Sequence, residues 1–141
     1  MKIAIGADHA GFSSKEELKK AIAASGHEVA DLGTESEASV DYPDFARAVA
    51  EAVAGGKADR GVLVCGTGIG MSMTANKVPG IRAAVVTDAY TAEMSRRHND
   101  ANVLCMGARV LDPERMKEYL GIFLHTPFDG GRHARRVEKI G

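Results

Sequence analysis

Apolar residues follow two alternating rhythms along this chain. Short, nearly unbroken runs rich in Val, Ile and Ala lie at residues 2–7 (KIAIGA), 27–33 (HEVADLG), 60–66 (RGVLVCG), 81–87 (IRAAVVT) and 102–108 (NVLCMGA), and they read as five strands. Between them the apolar positions fall at helical spacing. A capping-box pattern from Ser13 to Glu16 predicts the start of a first helix with Leu18, Ala21 and Ile22 on one face. Tyr42, Phe45, Val49 and Val53 share a face of a second. A third is expected to begin inside the glycine-rich turn at 66–70. Asp88 is placed to cap a helix running to about Arg97, and Asp112 to cap another with Pro113 in its first turn, ahead of Met116, Tyr119, Leu120 and Phe123. GRHARRVEKI at 131–140 predicts one more. Strict alternation of helices with strands too apolar to face water implies an α/β protein, a five-stranded parallel sheet covered on both sides as a three-layer αβα sandwich. No linker, repeat or low-complexity stretch interrupts residues 1–141, which read as a single domain.

Composition narrows the partners. The 141 residues are 45% hydrophobic and 26% charged with a formal net charge of -1, which gives no electrostatic basis for binding nucleic acid or an acidic membrane surface. A small-molecule partner is expected. The start MKIAIGADHAG meets Gly6 and charged residues too early for a signal peptide, and no run approaches membrane-spanning length, so a cytoplasmic protein is expected. Cys65 and Cys105 form no C-x-x-C, which fits a reducing compartment and argues against both a disulfide framework and a cysteine-based metal site.

The chemistry concentrates where strands end. Ligands of open α/β sheets bind beyond the carboxyl ends of the strands, and Asp8, His9, Cys65 and Asp88 are all predicted at such ends. After Cys65 the turn GTGIG (66–70) offers backbone N–H groups unobstructed by side chains, with a helix N-terminus behind it, and so suits an anion. A dinucleotide fingerprint would need glycine where this chain has Met71, and would follow the first strand rather than the third. Taken alone, the glycines also fit mere close packing of strand on helix. Cys65 equally fits an inert core position, His98 a helix end, and RHARR (132–136) a solvated basic face.

Several blocks together are more specific. GADHAGF (6–12), DYPDFA (41–46), CGTGIGMSMTANKVPGIRAA (65–84), SRRHNDANVL (95–104), MGARV (106–110) and GGRHARRVEKI (130–140) occur in an order that resembles the type B ribose-5-phosphate isomerases, which group with the galactose-6-phosphate isomerase subunits. The resemblance runs almost end to end. It implies a Rossmann-like, doubly wound fold, a homodimer or dimer of dimers, and interconversion of an aldose phosphate and a ketose phosphate with no metal and no cofactor.

The same resemblance assigns roles. Cys65 would be the base that removes the proton alpha to the carbonyl, a step that also needs donors for the enediolate charge. Those donors would come from the segment Gly66, Gly68, Ile69 and Gly70. His98 would open the sugar ring by proton exchange, with Asn99 holding hydroxyls beside it. Asp8 would bind hydroxyls near C1 and C2, and Thr67 would orient or pass a proton. Arg132 and Arg136, at i and i+4 on one helical face, would grip the phosphate with His9 and Arg109. His98 would reach the site from the dimer partner. Arg135, His27 and His125 match no functional position, and Cys105 reads as core.

One branch of the family lacks this cysteine and carries a carboxylate where this chain has Met71, so the chain groups with the thiol branch. The expected reaction joins ribose 5-phosphate and ribulose 5-phosphate through a cis-enediolate. Alternatives are a six-carbon substrate such as allose 6-phosphate or galactose 6-phosphate, or a non-catalytic phosphosugar-binding subunit.

Overall fold

The computed structural model describes residues 1–141, in which five strands, β1 (Lys2–Ala7), β2 (Glu28–Asp31), β3 (Arg60–Cys65), β4 (Ala83–Val85) and β5 (Val103–Gly107), pair in parallel in the order β2-β1-β3-β5-β4. Six helices cover them: α1 (Phe12–Ala24), α2 (Tyr42–Ala54), α3 (Ile69–Ala75), α4 (Ala89–Arg97), α5 (Pro113–His125) and α6 (Arg132–Ile140). The expected Rossmann-like α/β layers are present. No helix is long and apolar enough to cross a membrane.

Crossover handedness decides which helix lies on which face. A parallel connection is right-handed, so a crossover moving one way along the sheet lays its helix on one face and a crossover moving back lays it on the other. The steps β1 to β2 and β4 to β5 run in one direction and put α1 and α4 on a common face. Steps β2 to β3 and β3 to β4 run in the other and put α2 and α3 opposite. The buried side chains divide accordingly. Leu18 and Ile22 of α1 join Met116 and Phe123 of α5 in one core, while Val49 of α2 joins Met71 and Ala75 of α3 in the other.

Predicted side-chain caps hold at two helices and fail at one. Asp88 accepts the Thr91 N–H at 2.7 Å in a full capping box, and Asp112 accepts the Arg115 N–H at 2.8 Å with proline in the first turn. At α1, however, Ser13 is not the cap. The helix opens at Phe12 behind Gly11, because Asp8 Oδ1 takes the N–H groups of Ala10 and Gly11 at 3.0 and 3.1 Å. Gly11 lies so close to the Val64 carbonyl that no Cβ fits. The strand expected over 81–87 is also shorter. Asn102 binds the Arg82 N–H and the Gly80 carbonyl through its side chain, so only Ala83–Val85 is left to pair with β5.

Among the largest fully buried side chains is a lysine. Lys15 on α1 is fully buried, with its Nζ 2.6 Å from Asp31 at the end of β2 and 3.1 Å from Glu16. Burial works to raise the Asp31 carboxyl, but hydrogen bonds from Lys15, Lys19 and the Gly33 N–H outweigh it and hold the group at about 2. A depressed carboxylate contributes stability that is present above its unfolded value near ~3.9 and is lost as pH falls through its folded value. Asp31→Asn leaves the buried Lys15 ammonium with Glu16 as its one remaining carboxylate and is expected to remove about 2 kcal/mol. Chemical denaturation at fixed protein concentration checks this. The wild type should lose stability between pH 4 and pH 2 more steeply than the variant.

Candidate active site

At the carboxyl end of the sheet three loops part over β3. Helix α3, which follows β3, lies on one face, whereas α1 and α5, which follow its neighbours β1 and β5, lie on the other, so the chain leaves a crevice above Cys65. The cleft measures about 430 Å³. Asp8, Cys65, Gly66, Thr67, Ile69, Gly70 and Arg109, all expected from the sequence, line it together.

Cys65 ends β3 with 6% of its surface exposed, and its Sγ accepts the Gly68 N–H at 3.1 Å. That bond is possible because Gly68 turns at φ +82°, a conformation in which a side chain is strained and in which a Cβ would sit 3.0 Å from the Met106 backbone. Ile69 donates its N–H to Thr67 Oγ1 at 3.2 Å, leaving the exposed hydroxyl free to donate. Of the amides expected to face the enediolate, that of Gly68 is directed to sulfur and that of Ile69 to Thr67 in this structure. The Gly70 and Met71 amides have no acceptor within the protein, as the first turn of a helix leaves them. The β5 side closes the loop, with Ala108 N–H on the Cys65 carbonyl at 2.8 Å and Arg109 N–H on the Gly66 carbonyl at 3.0 Å.

Asp8 is 94% buried, since only 6% of its surface is exposed, and with Oδ1 committed to the backbone its Oδ2 takes no protein donor. His9 follows, its Nδ1 accepting the Val40 N–H at 3.2 Å. Two further residues line the cleft that sequence reasoning did not assign to it. Tyr42 was expected only as a core-facing residue of α2, yet it is 40% exposed and its ring covers Gly70. Met73 of α3 is 65% exposed at the rim. The available signal for Tyr42 was its position: α2 follows β2, so its first residue stands at the ligand end of the sheet.

The remaining predicted residues are not there. His98 caps the far end of α4, just before the amino end of β5, so it stands below the sheet by about a strand's length, roughly 16 Å for five residues. Asn99 follows it. Arg132 and Arg136 lie on α6, which is tied to the same corner: Asp129 N–H reaches the Arg97 carbonyl at 3.0 Å, and Arg97 Nε approaches the Asp129 carboxylate at 3.2 Å. Within one chain the proposed phosphate group is thus divided, His9 and Arg109 at one end and Arg132 and Arg136 at the other. Of the other histidines, His27 sits 3.0 Å from the N-terminal amine and His125 bonds the Gly121 carbonyl; neither joins the cluster at either end.

A larger cavity of about 550 Å³ opens near Asn99, between the 76–84 segment and Ile140. Lys77 and Arg82 line it, but no histidine, cysteine or side-chain carboxylate does. Ligand atoms of His98, Asp129 and His133 lie within 4.8 Å of one another, but the two imidazoles stack within 11° of parallel. Their lone pairs run side by side rather than converging on one ion.

Known proteins resemble this chain in sequence and fold. The profile of the family described as Ribose/Galactose Isomerase matches residues 3–140. Ribose-5-phosphate isomerase B of Escherichia coli K12 is 50% identical, over 99% of this chain and 93% of its own length. D-erythrulose-4-phosphate isomerase of Pectobacterium atrosepticum is 45% identical, over 100% and 93%. Among solved structures, Clostridium thermocellum ribose-5-phosphate isomerase B superposes with a TM-score of 0.99 at 54% identity, covering 100% of this chain and 95% of that one.

The two thiols differ sharply in environment. Burial pushes the fully enclosed Cys105 thiol far up, while Cys65 faces the cleft. Iodoacetamide under native conditions is expected to add one group per chain, at Cys65, and a second only after unfolding. Mass spectrometry of digests checks the positions, and native labelling at Cys105 would contradict the burial described.

Proposed function

The chain belongs to the ribose/galactose isomerase family, and on that premise we propose that it interconverts ribose 5-phosphate and ribulose 5-phosphate with Cys65 as the base. The observation that carries this is a thiol and two unpartnered amides on one short turn, at the switch point of the sheet. His98 takes the proton of the C1 hydroxyl and delivers one to the ring oxygen as the C1 to ring-oxygen bond breaks, giving the open aldehyde. The Cys65 thiolate then takes the C2 proton. The C–H electrons form the C1–C2 double bond, and the carbonyl electrons move onto O1, where the Gly70 and Met71 N–H groups receive the charge. Thr67 and Asp8, both at the cleft, move the hydroxyl proton from O2 to O1. Cys65 returns its proton to C1, leaving the carbonyl at C2.

The reading needs two chains. His98, Asn99, Arg132 and Arg136 stand a strand's length from the thiol of their own subunit, and a two-fold dimer brings each end of one chain to the other end of its partner, completing two equivalent sites. The exposed apolar side chains beside the cleft, Ile69, Met73 and Val110, support such a cover. Arg132 and Arg136 would then join His9 and Arg109 around one phosphate. A dimer of dimers is compatible with this. Retention of free thiols supports a cytoplasmic setting.

Turnover of ribose 5-phosphate should exceed that of allose 6-phosphate, galactose 6-phosphate and D-erythrose 4-phosphate in kcat/KM; the last tests the substrate class named for the Pectobacterium relative. Cys65→Ala should lower kcat by about 10²–10⁴-fold. Sugar-phosphate affinity, measured by calorimetry, should change little. A variant that keeps more than a few per cent of the wild-type rate would remove Cys65 from the role.

Mixing two inactive variants tests the shared site. In a hybrid of Cys65→Ala and His98→Ala chains, one site collects both defects and the other has neither. Random exchange makes about half the dimers hybrids, each with one working site, so activity should return to roughly a quarter of wild type. If both residues served from the same chain, every site would keep one defect, and no recovery would follow even with hybrids verified by native mass spectrometry.

A further inference from the structure

His133 has no place in the chemistry above, yet it is the residue most closely applied to His98. Their rings stack with centroids 4.2 Å apart and 11° between planes. The stack lies where the C-terminal arm meets the body. Gly130 and Gly131 turn the chain at φ +67° and +55°, and α6 follows with no buried residue of its own. Apart from the Asp129 contacts to Arg97, the His98–His133 stack is the link that registers the start of α6 against the end of α4.

On a helix of 3.6 residues per turn, Arg132, Arg136 and His133 fall within an arc of about 100°, with Arg136 between the other two. The surface that presents two guanidinium groups therefore continues directly into the ring that carries His98. We infer that His133 is a positioning residue: by stacking on His98 it fixes the distance and angle between the imidazole that opens the sugar ring and the arginines that hold the phosphate. The inference rests on the assignment of His98 and of the α6 arginines in the proposed function.

Two features suit a plate rather than a proton carrier. Partial burial, the neighbouring His98 and the guanidinium groups of Arg132 and Arg136 push the His133 imidazole below its ordinary value, with Asp129 opposing them, which disfavours the charged ring. A neutral aromatic face stacks on imidazole and imidazolium alike, so the pair survives both halves of the proton exchange. A sugar phosphate held at one end by α6 and protonated at the other by His98 is sensitive to their separation, since a displacement of about 1 Å lowers the rate by up to about 10²-fold.

The test compares three substitutions that keep Arg132 and Arg136. His133→Ala should lower kcat for ribose 5-phosphate by about ten- to a hundred-fold, while the dissociation constant for inorganic phosphate stays within about twofold. His133→Asn, which keeps polarity but not the ring, should behave like His133→Ala. His133→Phe should recover to within about threefold of wild type with an unmoved pH–rate profile, because a ring without a titrating group still stacks. Melting temperatures and native mass spectra confirm that all three fold and assemble. A His133→Phe enzyme as impaired as His133→Ala would overturn the inference and make His133 a proton-handling or hydrogen-bonding group. An unaffected His133→Ala enzyme would overturn it equally. His98→Ala is measured alongside: if it retains the wild-type rate, the assignment of His98 fails first and the inference falls with it, distinguishable from failure at His133 alone.

Discussion

The right-handed crossover is the constraint from which the site follows. In the order β2-β1-β3-β5-β4, β3 sends its helix to the opposite face from those after both of its neighbours, β1 and β5. A crevice flanked on two sides opens at its carboxyl end, and the residue there is Cys65. The glycine turn exploits that opening. Gly68 takes a left-handed conformation so that its amide meets sulfur, and Gly107 lets the β5 loop pass within van der Waals contact of Thr67, where a Cβ would lie 2.7 Å from its backbone. A bulkier residue at either place would separate the loops that the crossover rule brings together.

The buried Lys15 serves the same end of the sheet from behind. Its pair with Asp31 ties α1 to the end of β2, and Asp31 also accepts the Gly33 N–H. The segment so fixed pairs with β1, Gly33 carbonyl to Ala7 N–H at 2.8 Å and Thr34 N–H to Ala7 carbonyl at 2.8 Å, one residue before Asp8. An ion pair with no exposed lysine surface thus supports the backbone from which a site carboxylate projects.

Layer order and strand identity were legible because parallel strands buried on both faces must be apolar throughout, a signal that period and composition carry. Strand ends were less so. Residues 81 and 82 look like strand, but the Ile81 N–H turns back to the Val78 carbonyl and the Asn102 side chain takes the Arg82 N–H, a partner twenty residues away that no local pattern encodes. The cap of α1 failed for a related reason: Ser13 has the right chemistry, yet Asp8 satisfies the neighbouring amides first. Within the site, Cys65 and its turn were readable as one contiguous segment. Tyr42 was not, because a tyrosine at helical spacing looks like core until the strand order shows which end of α2 faces the ligand. Separation of His98 from Cys65 required the direction of α4, which topology alone supplies.

Helix α6 has no fully buried residue. Substitutions in most proteins are filtered first by what they do to folding, and only then by what they do to the ligand. Here the two filters are largely uncoupled, since changes along Arg132–Ile140 leave both cores untouched. Substitutions in the arm therefore cost folding less than substitutions in the sheet that carries Cys65.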